Sequence, residues 1–265
     1  MKDFCFPEII NDLISGKSYV FDETGRSDSS ALIFDDMVLK IQKDSSFVRN
    51  EHFMMKWIEN KVSVPKCISN ITENGVNYLL MSKICGKMAC DDEFMNNPKQ
   101  LLSVLADAFK SLWETDILDC PVKNDLSTVL KEAEFRVEHG LVDVDDAEPE
   151  TFGKGGFKDP QQLFEWLCNN NRPDEDFVLS HGDFCLPNVF INDDKFSGFV
   201  DIGRMGIADR YQDIALCYRS LHHNFSGIYS GKSYPGYDEK MFFEALGIEP
   251  DYDKIKYYIL LDELF

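Results

Sequence analysis

Apolar and polar positions change their rhythm once along this chain, close to Ser82. Before that point the apolar, β-branched and aromatic residues fall in short runs, Ser18 to Phe21, Ser30 to Phe34 and Met37 to Ile41, with a tight turn at Asp35-Asp36. Such runs bounded by turn residues predict strands. Phe47 to Asn60 instead carries a helical period, with Phe47, Met54 and Ile58 on one stripe, and Val62 to Pro65 closes it. Ile68 to Ile71 and Val76 to Met81 return to strand character around Asn74-Gly75. Beyond Ser82 helices dominate. Leu101, Leu105, Phe109 and Leu112 mark one, and Leu126, Leu130, Ala133 and Val137 another. Asp159-Pro160 is a cap followed by proline at the first helical position, opening a third through Leu163 and Leu167. Short strands are expected at Phe177 to Leu179, Val189 to Ile191 and Phe196 to Val200, then helices at Tyr211 to His222, Glu239 to Leu246 and Tyr252 to the end. The pattern predicts an α+β protein with a small strand-rich lobe over residues 1–81 and a larger helical lobe over 82–265.

Composition narrows the class. The 265 residues, 44% of them hydrophobic, can bury a substantial core, and no run of eighteen apolar residues is present to cross a bilayer. Without a signal-peptide pattern, the chain is expected in the cytoplasm. The eight cysteines (Cys5, Cys67, Cys85, Cys90, Cys120, Cys168, Cys185 and Cys217) include no C-x-x-C pair, which argues against a zinc site and for free thiols. A formal net charge of −20 repels nucleic acid and anionic lipid and attracts cations. The same acidity also serves solubility, so it informs function only where the acids gather. They gather at Asp143, Asp145, Asp146, Glu148 and Glu150.

The sharpest chemical signal is His181-Gly182-Asp183, followed by Asn188 and then Asp201-Ile202-Gly203. Asp183 and Asn188 precede the Val189 strand, and residues 189–200 suffice for two antiparallel strands joined at Asp193-Asp194-Lys195. That hairpin brings Asp201 back beside Asn188. Two oxygen donors at one end of a hairpin suit Mg²⁺, which takes few protein oxygens and leaves its other positions to phosphates and water. Asp183 is then placed to orient an attacking hydroxyl and accept its proton. A second pairing lies upstream. Lys40 falls in an apolar strand, and Glu51 falls on the helix stripe of Phe47, Met54 and Ile58. A buried carboxylate and a lysine in an apolar setting satisfy each other, and the fixed ammonium can clamp phosphates. Thr24 to Ser30, with one glycine, is neither a Walker A nor a G-x-G-x-x-G loop.

Together, His181-Gly182-Asp183-Phe184-Cys185-Leu186-Pro187-Asn188, Phe196 to Arg204, Ala208 to Leu216 and the closing Tyr257-Tyr258-Ile259-Leu260-Leu261-Asp262-Glu263-Leu264-Phe265 resemble the aminoglycoside 3′-phosphotransferases, a branch of the protein-kinase-like superfamily. The resemblance runs from about Thr24 to the last residue. It implies a bilobal kinase-like fold with ATP or GTP between the lobes and two Mg²⁺ ions on Asn188 and Asp201. Asp183 would be the catalytic base, Lys40 would contact phosphates and Glu51 would hold Lys40. Ser27 would cover the phosphates, and backbone groups near Ser82 and Ile84 would meet the base. A polycationic aminoglycoside would be gripped by Asp146, Glu148, Glu150, Arg204, Asp262, Glu263 and the Phe265 carboxylate. The protein would act as a monomer or weak dimer, without nucleic acid or membrane. Two positions depart from the family pattern: Val38, where an aromatic ring often meets adenine, and His223, where an acidic residue is common. Another small-molecule kinase would share Lys40, Asp183, Asn188 and Asp201 without needing the acidic chain end. A non-catalytic ligand-binding module is the other alternative. A protein kinase is not expected, since no A-P-E segment follows Asp201.

Overall fold

In the computed structural model, which describes residues 6–21, 30–171, 174–228 and 231–265, one sheet organises the first third of the chain. Helix α1 (Glu8–Ile14) precedes strands β1 (Val20–Phe21), β2 (Ser30–Ile33) and β3 (Met37–Lys43), helix α2 (Ser46–Ile58), and strands β4 (Cys67–Glu73) and β5 (Val76–Ser82). The strands pair antiparallel in the order β1-β2-β3-β5-β4. Alternation along β3 sends Met37, Leu39 and Ile41 to one face, where they pack with Ile10, Ile14, Leu32, Phe34 and Leu80. Val38, Lys40 and Gln42 must then face the other way. Lys40 lies opposite Leu79 of β5, which packs with Met54, Met55 and Ile58 of α2. The period of two thus aims the lysine at the helix.

Ser45 caps α2 by accepting from the Val48 N–H at 3.3 Å, and Asn60, at φ 68°, turns the chain out of it. The buried stripe is Val48, Glu51, Met54, Met55 and Ile58. Phe47, expected on that stripe, is only half-buried and lies over the Arg204 guanidinium, 5.6 Å from its ring. In the first turn of the helix it points about one residue's rotation away from Val48.

The larger helical lobe opens with β6 (Lys87–Met88), α3 (Asp92–Met95), α4 (Pro98–Trp113), α5 (Leu126–Glu138) and α6 (Pro160–Asn169). Strands β7 (Phe177–Ser180), β8 (Val189–Asn192), β9 (Lys195–Phe199) and β10 (Gly206–Asp209) follow, then α7 (Arg210–Ser226), α8 (Glu239–Leu246) and α9 (Tyr252–Asp262). The expected hairpin is β8–β9, turning through Asp193 and Asp194 at φ 49° and 57°, the left-handed pair of a two-residue turn. Lys195 already belongs to β9. Strand β6 adds to this hairpin, and Gly86 just before it has φ 100° with its missing Cβ 2.1 Å from the Ile191 carbonyl oxygen. Any side chain there would force β6 off β8. The helices α1 and α3 and the strands β6 and β10 lack a sequence signal long enough to predict. The last two are held by partners distant in sequence: β6 by β8, and β10 by β7, with Gly206 opposite Ser180.

The core of this lobe centres on α4. Phe109 is fully buried and stacks on Phe184 of the loop between β7 and β8, with centroids 4.0 Å apart and planes 6° from parallel. Trp113 and Phe242 flank it. Among the described residues no helix is long and apolar enough to cross a membrane. Truncating so central a ring leaves a cavity that neighbouring helices cannot close. Phe109→Ala should therefore cost about 3–5 kcal/mol, read as a lower urea midpoint at unchanged slope.

Candidate active site

The loop between β7 and β8 carries Asp183 and Asn188, and its shape is set by hydrogen bonds into the lobe's interior. The Asn188 amide donates both to the Asp183 carbonyl and to Asp183 Oδ2, each at 2.9 Å. The Asp183 N–H points at His181 Nδ1 at 3.2 Å, and the Cys185 thiol donates to Asp183 Oδ1 at 3.2 Å. Burial and the adjacent Asp183 push the Cys185 thiol well up, so it stays protonated and remains a donor. With both carboxylate oxygens engaged and the side chain half-buried, Asp183 has one orientation.

The hairpin returns the chain to this loop. Val200 N–H donates to the Asn188 carbonyl at 3.0 Å, and the Val200 carbonyl meets His181 Nε2 at 3.0 Å. Asp201 comes next, in the left-handed conformation at φ 57°, ψ 53°. That backbone strains a residue with a Cβ and turns its carboxylate away from the strand. Asp201 Oδ1 sits 2.7 Å from Lys40 Nζ, which also reaches Glu51 Oε2 at 3.1 Å and Oε1 at 3.3 Å. Burial alone would lower the lysine's pKa, but Glu51 and Asp201 outweigh it and raise it, so the ammonium persists. Burial pulls Asp201 up, yet Lys40 wins and holds its carboxyl below the usual range. Glu51, sealed from solvent, is raised by burial, with Lys40 opposing.

The remaining donors suit a hard cation. The Asn188 amide nitrogen is spent on Asp183, leaving its oxygen as the acceptor, and half the Asp201 side chain is exposed. Among the described residues no three His, Cys, Asp or Glu gather to hold a metal by themselves. A divalent ion here would complete its shell with phosphate and water oxygens, as Mg²⁺ does.

The other expected positions fall as follows. Ser82 ends β5 with its N–H donated to the Lys66 carbonyl and its hydroxyl accepting from the Lys66 N–H, each at 2.9 Å. Ile84 is half-buried against Gly198, where an added Cβ would meet it at 3.1 Å. Ser27 lies outside the described residues. Asp146 and Glu150 are exposed. Glu148 is half-buried, its carboxylate 3.3 Å from His223 Nε2, and its N–H donates to Glu263 Oε2 at 2.7 Å.

The acidic chain end is matched by arginines. Asp262 accepts from Arg204 at 3.0 Å and, through its other oxygen, from Arg219. Arg219 also meets Glu263 Oε1 at 2.9 Å, and that glutamate's side chain is 2% exposed. Arg136 donates to the Leu264 and Phe265 carbonyl groups at 2.8 and 2.6 Å. Arg204 lies 5.3 Å over the Phe265 ring. A cavity of about 290 Å³ is walled by Phe47, Asn50, Arg204, Asp262 and Phe265 among others, and Asp183 is not part of its lining.

A family model described as "Phosphotransferase enzyme family" matches residues 18–256. An aminoglycoside 3′-phosphotransferase of Enterococcus faecalis is 39% identical over 222 residues, spanning 82% of this chain and 79% of that one. One from Campylobacter jejuni is 38% identical over 84% of this chain and 83% of its own. Among solved structures, an aminoglycoside-3′-phosphotransferase of type VIII superposes with a TM-score of 0.81 at 24% identity, with 97% of each chain covered. The chain belongs to the phosphotransferase enzyme family. It is an enzyme with the kinase-like α+β fold of that family.

In this phosphotransferase the loop is built from behind by side chains of α7, of which Asp213 falls in the Ala208 to Leu216 segment and Ser220 lies beyond it. Asp213 of α7, fully buried, accepts from the His181 N–H at 2.7 Å and the Gly182 N–H at 2.9 Å. Gly182, at φ 81°, would place a Cβ 2.2 Å from the Arg204 carbonyl oxygen, so the loop needs both the glycine and its anchor. Ser220 Oγ of the same helix takes the Leu186 N–H at 3.0 Å. Burial pushes the Asp213 carboxyl up, against the pull of His181 and the two backbone donors. The sequence clues to Asp213 were its place in the Ala208 to Leu216 segment and a carboxylate among apolar residues of a helix. Asn at 213 keeps one of the two acceptor oxygens; the Gly182 N–H also reaches Ser180 Oγ at 3.1 Å, so the His181 N–H is the donor exposed to loss, at roughly 1–3 kcal/mol. Asp213→Asn should lower kcat about ten- to a hundredfold in steady-state assays, with far-UV circular dichroism unchanged.

Proposed function

We propose that the protein transfers the γ-phosphoryl group of ATP, or of GTP, to the 3′-hydroxyl of an aminoglycoside antibiotic. The observation that carries the reading is the convergence of Lys40, Glu51 and Asp201 in one ion pair, beside Asp183 and Asn188 in one hydrogen-bonded loop. The naming of 36–39% identical relatives as aminoglycoside 3′-phosphotransferases supports the choice of substrate.

Asp183 orients the substrate hydroxyl and accepts its proton as the new oxygen–phosphorus bond forms and the bond to the leaving diphosphate breaks. Lys40 presents its ammonium to the phosphates while Glu51 keeps it in place. Asn188 and Asp201 would hold Mg²⁺, which when bound neutralises charge on the phosphate oxygens. The engagement of Ser82 with Lys66 leaves Ile84 the better placed of the two to meet the base through its backbone.

At the chain end a substrate ammonium competes with Arg204 and Arg219 for Asp262. Glu263, nearly sealed and bonded to the Glu148 N–H, shapes the acidic loop from beneath, while the exposed Asp146 and Glu150 meet the polycation from solvent. Arg204 and Phe265 share a cavity wall with Asp262, which suits a sugar ring seated against the chain end. Cytoplasmic residence as a monomer or weak dimer, with resistance as the outcome, completes the proposal.

Kanamycin should be phosphorylated in an ATP-coupled assay, and a 3′-deoxy aminoglycoside should not. Comparable turnover of the two, or turnover of choline alone, would overturn the reading. Asp183→Asn should cut kcat by at least about a thousandfold at nearly unchanged nucleotide affinity, and chelation of Mg²⁺ should abolish turnover.

A further inference from the structure

The link between α2 and the segment after Asp201 does not depend on charged groups. Next to Glu51, Asn50 extends its amide to two carbonyls more than 150 residues away, Gly203 O at 2.7 Å and Met205 O at 3.2 Å. The first belongs to a single 3₁₀ turn, Ile202–Arg204, and the second to the residue just after it; the turn's internal bond runs from the Met205 N–H to the Ile202 carbonyl. A turn this short leaves its later carbonyls without partners inside it. Asn50 takes that of Gly203 and the Met205 carbonyl just beyond, and Asn124 donates to the Arg204 carbonyl between at 2.8 Å. The approach is close on the other side as well, since a Cβ on Gly203 would come within 3.2 Å of the Phe47 carbonyl oxygen of α2.

We propose, on the footing of the phosphotransfer reaction above, that Asn50 is a positioning residue that locks α2 to the segment carrying Asp201. The ion pairs alone cannot hold that geometry through a turnover. Lys40 must share its ammonium with phosphates, and Asp201 must share its carboxylate with a metal, so their mutual bond weakens when substrate arrives. The Asn50 bonds run to backbone atoms that take no part in the chemistry. They keep Glu51 on one side and the strained backbone of Asp201 on the other at constant separation while Lys40 changes partners. Asn50 also lines the cavity beside Asp262, so its positioning role is judged by exchange over 201–206 and not by turnover alone.

The test compares the parent with Asn50→Leu, which keeps the side-chain branching without the amide, Asn50→Ala, and Arg49→Ala on the exposed side of the same helix. Leu and Ala are both better helix formers than Asn, so neither melts α2 by propensity. Hydrogen–deuterium exchange of residues 201–206 should rise about tenfold in both Asn50 variants and stay at the parent level in Arg49→Ala. With kanamycin and ATP, kcat should fall about tenfold in both Asn50 variants while KM for ATP moves less than about threefold. Unchanged exchange over 201–206, or a lowered Tm with kcat intact, would overturn the proposal and leave Asn50 a simple carbonyl cap. A parent that fails to phosphorylate kanamycin would sink the proposed substrate alone, because the exchange measurement judges the Asn50 link without turnover.

Discussion

A lysine placed by strand alternation on the helix-facing side of a sheet must find negative charge or lose its own. Lys40 finds two carboxylates, one eleven residues away on α2 and one 161 residues away after β9. Two members of the triad would be costly alone: Glu51 has almost no solvent, and Lys40 little. Removing one partner from such a buried pair typically costs about 3–5 kcal/mol, because the other is left uncompensated. Its value lies less in net stability than in geometry, since the charges are satisfied in one arrangement of sheet, helix and hairpin.

The same logic of satisfaction shapes the loop that carries Asp183. Its N–H groups are answered by Asp213 and Ser220, two side chains of the buried helix α7. Beneath them, Phe184 is gripped by Phe109 and lies edge-on to Phe199, with His181 against both Phe184 and Phe199. The loop is therefore irregular in backbone yet anchored like core. That combination lets a short segment offer a fixed carboxylate to solvent on one side.

Electrostatics divides by location. The chain as a whole is strongly acidic, at −20, but the acids at its end are not an open anionic surface. Asp262 and Glu263 are spent on Arg204 and Arg219, and burial raises the Glu263 carboxyl despite Arg219. In the proposed reaction, long-range attraction for the cation would come from exposed acids such as Asp146 and Glu150, and short-range selectivity from exchange against arginine. Glu148 joins the two zones, its carboxylate beside His223 and its backbone on Glu263.

Periodicity determined much of this protein by itself. A period of two placed Lys40 on the helix side of its strand, a period near 3.6 placed Glu51 on a buried stripe, and a twelve-residue hairpin placed Asp201 beside Asn188. These are local regularities, and local regularities survive in sequence because burial repeats with the geometry of one element. Only the tertiary structure decided that Lys40 would take Asp201 as a second partner, that Asp213 and Ser220 would hold the Asp183 loop, that Asn50 would grip the turn after Asp201, and that arginines would neutralise Asp262 and Glu263. It also decided that Phe47 would leave the stripe for Arg204, and that β6 and β10 would exist at all. Each of these depends on which groups meet across scores of residues once the core is packed, and no spacing within a single element encodes that choice.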